Sequence, residues 1–182
     1  MADTFGRPSS EGRRLQVGFH PDSVVNSIGA KETPNKNKYV EIVFFQKEGS
    51  ATQKIWFPKL DEVKPKEGQS PEDARRKAID NFTGSLYVLL DALDCGEVQA
   101  DSAEQFADKA ITAITQATAK GKKCGIVLQY DIKGEWPEFP RYRWAFHSDM
   151  PINSIDTSKL RMTKDAQSTP SRNTKVSEGD LF

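Results

Sequence analysis

Between residues 38 and 57, apolar and polar positions alternate with a period of two, in two runs separated by a charged glycine turn. In Lys38–Gln46 (KYVEIVFFQ), Val40, Ile42 and Phe44 fall on one face, and Tyr39, Glu41, Val43 and Phe45 on the other. In Ala51–Phe57 (ATQKIWF), Ile55 and Phe57 oppose Thr52, Lys54 and Trp56. With Lys47–Ser50 between them, the two runs predict a β-hairpin. The period then lengthens. Ala78, Phe82, Leu86, Leu89, Leu90 and Leu93 recur at helical spacing, behind a start signal of Ser70, Pro71, Glu72 and Asp73 and ahead of Gly96. A second helix is predicted from Ser102, with Gln105 completing a capping-box pattern. Phe106, Ala110, Ile114 and Ala117 form its stripe, and Gly121 ends it.

Lys123–Lys133 reads as a strand, Gly134–Pro140 (GEWPEFP) as a loop, and Arg141–His147 (RYRWAFH) as a final strand. Before the hairpin the signal is weaker: regular structure is expected from Leu15, with part of a first strand over Val24–Ile28. The order is three strands, two helices, two strands. The expected fold is mainly β with helices, a five-stranded OB-like barrel carrying its helical insertion (70–120) between the third and fourth strands. An unrelated α+β sandwich with two helices on one sheet is the competing architecture.

The ends differ from this middle. Residues 1–14 are a Gly/Ser/Pro/Arg arm, expected to be flexible. After Ile155 periodicity vanishes, and 156–182 reads as a disordered tail. The domain is therefore expected to run from 15 to 155. Composition agrees: 36% hydrophobic and 29% charged residues describe an ordinary core diluted by polar ends. Lys+Arg and Asp+Glu balance at 26 each. This argues against a strongly basic nucleic-acid binder, but leaves room for a local basic groove. Two cysteines, Cys95 and Cys124, are too few for a disulfide framework and read as small buried residues. With no spanning run and no secretory signal at the N-terminus, the expected setting is the cytoplasm, without membrane contact. Nothing in the pattern excludes a homo-oligomer.

Catalytic signals are absent. His20 and His147 are far apart, with no ligand-spaced Cys, Asp or Glu, so no metal or cofactor is expected. Lys120-Gly121-Lys122 lacks the glycine spacing of a phosphate loop, and no serine sits in a nucleophile elbow. The chain is read as a non-enzyme.

The aromatic residues carry more information, since most fall on predicted strands or in the 134–140 loop. If Val40, Ile42, Phe44, Ile55 and Phe57 fill a barrel, then Lys54 and Trp56 share its outer face, with Tyr39 or Phe45 nearby. An exposed ring stacks on a base of any identity while a neighbouring cation meets phosphate. Lys36, Lys38, Lys47 and Lys59 flank the same hairpin. Each ring taken singly is also explained as core or helix packing; Trp56 fits that explanation least well. In the loop, Trp136 and Phe139 either fold back as a lid or grip a ligand, with Lys133, Arg141 and Arg143 supplying charge. The residues expected to meet nucleic acid are Lys38, Tyr39, Phe45, Lys54, Trp56, Lys133, Trp136, Phe139, Arg141 and Arg143. In the tail, a basic stretch from Thr157 to Lys175 gives way to Glu178, Gly179, Asp180, Leu181 and Phe182. An acidic tip closed by an aromatic residue suits docking into a partner's pocket.

In strand order, in Trp56 with Lys54, and in the end Glu178–Phe182, the chain resembles the single-stranded DNA-binding proteins of tailed bacteriophages and, more distantly, of bacteria. The resemblance is one of architecture. Its two-helix insertion is larger than the bacterial version's, and its tip is less acidic. It implies a barrel that coats single-stranded DNA during phage replication and recombination, in the host cytoplasm. It also implies recruitment of replication or recombination proteins through Glu178, Asp180, Leu181 and Phe182. A non-enzymatic protein-interaction module, such as a virion or assembly component on the same barrel, is the alternative.

Overall fold

A computed structural model describes residues 13–140, 145–148 and 160–162. Among them the element order is β1 (Gly18–Glu32), β2 (Lys38–Gln46), β3 (Gly49–Trp56), α1 (Pro71–Ala92), α2 (Ala103–Ala119), β4 (Cys124–Tyr130), β5 (Pro137–Glu138) and β6 (Phe146–His147). These residues are mainly β with two helices. A strongly curled antiparallel sheet forms a half-barrel, with strands side by side as β3-β2-β1-β4-β5 and β6 also paired to β4.

The curl originates in β1. This strand is much longer than the Val24–Ile28 segment legible in the sequence, because it serves two partners. Gly18–Ser23 pairs with β4, and Val24–Glu32 with β2. Its register shifts between His20 and Ser23, where Asp22 adopts φ 57°, and again between Val25 and Ser27. Irregularities of this kind bend a strand and increase its twist. Pro21, a poor residue for a central strand, sits inside the first of these shifts, where its missing N–H interrupts no regular ladder. The bend is held from within: the buried Ser23 hydroxyl donates to the His20 carbonyl at 2.9 Å, and a His20 ring nitrogen lies 2.8 Å from the Gln16 carbonyl.

The hairpin keeps the expected parity. Val40, Ile42 and Phe44 are fully buried, Ile55 is buried, and Tyr39 pairs with Trp56, Glu41 with Lys54 and Phe45 with Ser50. Both helices begin at the expected caps: Ser70 accepts from Asp73 N and Ser102 from Gln105 N. The Gln105 side chain reaches back to Asp101 N rather than to the cap residue itself. Phe82, Leu86, Leu89 and Leu90 of α1 and Phe106, Ala110, Ile114 and Ala117 of α2 join the inward residues of β2, β3 and β4 in one core. Phe57 leaves the end of β3 to pack on Phe82, with ring centroids 4.5 Å apart.

Other boundaries also differ from the sequence-based expectation: β3 begins at Gly49, inside the expected turn, and of the expected last strand, Arg141–His147, the described part pairs only over Phe146–His147. Arg13 and Arg14, assigned to the flexible arm, lie against the end of β3: Ser50 N donates to Arg13 O at 2.8 Å, and Leu15 N to Ser50 O at 2.9 Å. Leu15 is buried in the core. The approach is close enough that a Cβ on Gly49 would sit 2.6 Å from Arg13 O. Strand β4 stops at Tyr130 instead of running to Lys133. The Asp131 side chain there accepts the N–H groups of Glu135 and Trp136 and turns the chain, so that Pro137-Glu138, expected in a loop, pairs with β4. Leu160, Arg161 and Met162, assigned to the tail, pack beside β4. Tyr130 N donates to Arg161 O at 2.8 Å, Arg161 Nε donates to Tyr130 O at 2.8 Å, and Leu160 is buried against Val127. This second cover explains why β4 is buried along nearly its whole length.

Candidate nucleic-acid interface

On the outer face of the hairpin, the register brings Tyr39 opposite Trp56. Phe57 N donates to Lys38 O at 3.0 Å, which leaves the adjacent 39–56 pair as the non-hydrogen-bonded kind, whose side chains stand closest. The two ring centroids are 4.8 Å apart at a 43° tilt. The Lys54 ammonium sits 5.1 Å from the Tyr39 ring centroid, on the same face. Trp56 nevertheless stays 49% exposed. A tryptophan held by a tyrosine on one side and open on the other is a stacking surface with its orientation already fixed.

A cleft of about 410 Å³ opens beside this ring, lined by Lys36, Asn37, Lys38, Trp56, Phe57, Pro58, Lys59 and Glu104. Its cations are not equivalent. Lys59 is engaged by Glu62 at 3.0 Å, whereas Lys36 and Lys38 have no ion pair among the described residues. Lys36 takes φ 58° in the β1–β2 turn, which Thr33 ties together by accepting from Lys36 N at 2.8 Å and from Asn37 N at 3.1 Å. A lysine in the left-handed region costs about 1–2 kcal/mol that glycine would avoid. Lys31 pairs with Glu41; hydrogen bonding to that carboxylate raises the Lys31 pKa and leaves Glu41 neutralised on this face.

The remaining expected residues separate. Lys38, Tyr39, Lys54 and Trp56 form the group just described. Phe45 lies on the same face at the opposite end of β2, across from Ser50. Lys133 and Trp136 occupy the β4–β5 turn, both exposed, with Trp136 58% exposed and Ile132 beside them at 81%. Phe139 turns inward, with ring centroids 5.6 Å from both Phe44 and Phe146. Arg141 and Arg143, and the tip residues Glu178, Asp180, Leu181 and Phe182, lie outside the described residues. Sequence reasoning missed Arg14, whose guanidinium carbon stands 5.6 Å from the Trp136 ring centroid. A pair of adjacent basic residues, Arg13 and Arg14, at the end of a Gly/Ser arm carries no periodic signal.

Among the described residues, no group of three or more His, Cys, Asp or Glu is gathered as a metal site would require. No helix among them is long and apolar enough to cross a membrane. The chain matches no family model, no curated protein and no solved structure.

Proposed function

We propose that this chain is a non-enzymatic protein that binds single-stranded DNA with little sequence preference, on an OB-like barrel whose described sheet has six strands rather than the expected five. The observation that carries the reading is the outer-face group of Tyr39, Trp56 and Lys54, with Lys36 and Lys38 beside it. Stacking on Trp56 is indifferent to base identity, and the lysines meet phosphate. The curled half-barrel supports it, because OB barrels offer their second and third strands to oligonucleotides. The neutral net charge is no obstacle, since Lys36, Lys38 and Lys54, without an ion pair among the described residues, gather locally.

The cellular role that follows is coating of exposed single strands in phage DNA replication or recombination, within the host cytoplasm and without a cofactor. Glu178, Asp180, Leu181 and Phe182 would recruit replication or recombination proteins; removing Ser177–Phe182 should then abolish their capture without weakening DNA binding.

The direct test is fluorescence anisotropy with labelled oligo-dT at two salt concentrations. Affinity should fall with salt, with a log–log slope of about −0.7 per phosphate contacted. Absence of binding at low salt would refute the proposal and favour a protein-interaction or assembly module on the same barrel.

A further inference from the structure

The outer row of β3 does not end at the hairpin turn. Ser50, Thr52, Lys54 and Trp56 share its outward face, and the ladder places Arg14 beside Ser50 in a parallel bridge. Side chains of bridged residues point the same way, so Arg14 belongs to this outward row, while its neighbour Leu15 is buried on the other side. Arg14 in turn lies over Trp136. An exposed tryptophan therefore stands near each end of this row: Trp56 on β3 itself, beside the Tyr39–Lys54 contact, and Trp136 of the β4–β5 turn, under Arg14.

We propose that these two platforms bind one strand of nucleic acid, running along the outer row of β3 from Trp56 to Trp136, with Arg14 as the phosphate- or base-contacting cation at the far end. The inference rests on the single-stranded DNA reading above. The six residue steps from Ser50 to Trp56 cover roughly 20 Å. That is of the order of four extended nucleotides, the lower end of what one such barrel occupies. Among the described residues the row is open: Ser50 and Thr52 are small and polar, and Glu41, across from Lys54, is already paired with Lys31.

The far platform is built in advance. Asp131 Oδ1 accepts from Glu135 N at 2.8 Å and from Trp136 N at 3.4 Å, Asp131 N donates to Trp136 O at 2.8 Å, and Gly134 N to Asp131 O at 3.0 Å. These donors, Glu135 N–H foremost, hold the Asp131 carboxyl below its usual range. A turn so tied fixes the Trp136 backbone while leaving its ring in water, which spares a ligand the cost of ordering it. Glu135 precedes Trp136 in the chain and repels phosphate, which offsets the exposed Lys133 of the same turn and leaves room for a second cation. Arg14 supplies it, brought there by the Arg13–Leu15 segment on Ser50.

The experiment compares full-length wild type with Trp56→Ala, Trp136→Ala and Arg14→Gln, by anisotropy at low salt, on oligo-dT of graded length. Wild-type affinity should rise steeply from a dinucleotide to about six nucleotides, once both ends are reached. On the longer oligomers each tryptophan variant should lose roughly 5- to 150-fold. Trp136→Ala should also abolish the rise with length, and Arg14→Gln should weaken long oligomers more than short ones. All three side chains are exposed, and unchanged thermal melts would verify that the fold is intact. If Trp56→Ala weakens binding while Trp136→Ala and Arg14→Gln match wild type, the single track is wrong and the DNA reading survives. If wild type binds no oligo-dT of any length, both fail, and the exposed row is left as a surface for a protein partner.

Discussion

Tyr39 and Trp56 face each other across β2 and β3 with ring centroids 4.8 Å apart, yet Trp56 remains half exposed. The pair thus contributes a surface contact of about 0.5–1.5 kcal/mol to the hairpin and little to the core. Trp56→Ala should lower unfolding free energy by no more than that, while weakening oligo-dT binding by about 1–3 kcal/mol. Urea denaturation and anisotropy on the same preparation separate the two effects. A large stability loss would show that Trp56 is a packing residue.

Half of that relationship was legible in the sequence: a period of two fixes which residues share a face, but the register decides that Tyr39 rather than Phe45 stands beside Trp56. Val40, Ile42, Phe44 and Ile55 inward, and Tyr39, Lys54 and Trp56 outward, follow from alternation alone. So do the helix starts, which Ser70 and Ser102 announce chemically. The bent β1 was mostly hidden, since shifts near Asp22 and Ser27 break the alternation just where the sheet curls. Leu160 and Arg14 were hidden for a different reason. Each sits in a short segment placed by long-range contacts, Leu160 against Val127 and Arg14 against Ser50 and Trp136, and a segment of two or three residues is too short to show a period.

Phe139 behaves oppositely to Trp136, though only Pro137 and Glu138 separate them. Its ring bridges Phe44 and Phe146 at 5.6 Å from each. Phe139→Ala should open a void between strands and cost about 2–4 kcal/mol, with the folded fraction retaining wild-type DNA affinity. Denaturation midpoints with binding measured well below them would test this. A loss of affinity without loss of stability would put Phe139 in contact with the ligand.

Lys36 and Lys38 line the cleft beside Trp56 without an ion-pair partner among the described residues, whereas Lys59 is held by Glu62. Lys36→Ala and Lys38→Ala should each flatten the salt dependence of DNA binding by about 0.7 in log–log slope, one phosphate contact apiece. Lys59→Ala should change it less. Alanine at position 36 keeps the left-handed backbone cost, so that substitution isolates the charge. Equal slopes for all three variants would mean that the cleft is not where phosphate sits.

Burial pushes the Cys124 thiol from 9.0 up to about 12, with Cys95 adding a smaller push in the same direction. Cys124 lies in the core on β4, 1% exposed. Its thiol titrates near 8.5–9 in the unfolded chain, so between about pH 9 and pH 12 the unfolded state has given up a proton that the folded state keeps. Stability from this group is therefore fully present below pH 9. It should decline above it by up to about 1.4 kcal/mol per pH unit. Cys124→Ala loses packing at every pH but removes that slope. Urea unfolding at pH 8, 9 and 10 should thus show the wild-type advantage over Cys124→Ala shrinking as pH rises. Curves that stay parallel would mean that the thiol ionises inside the folded protein, and that the core around β4 admits water.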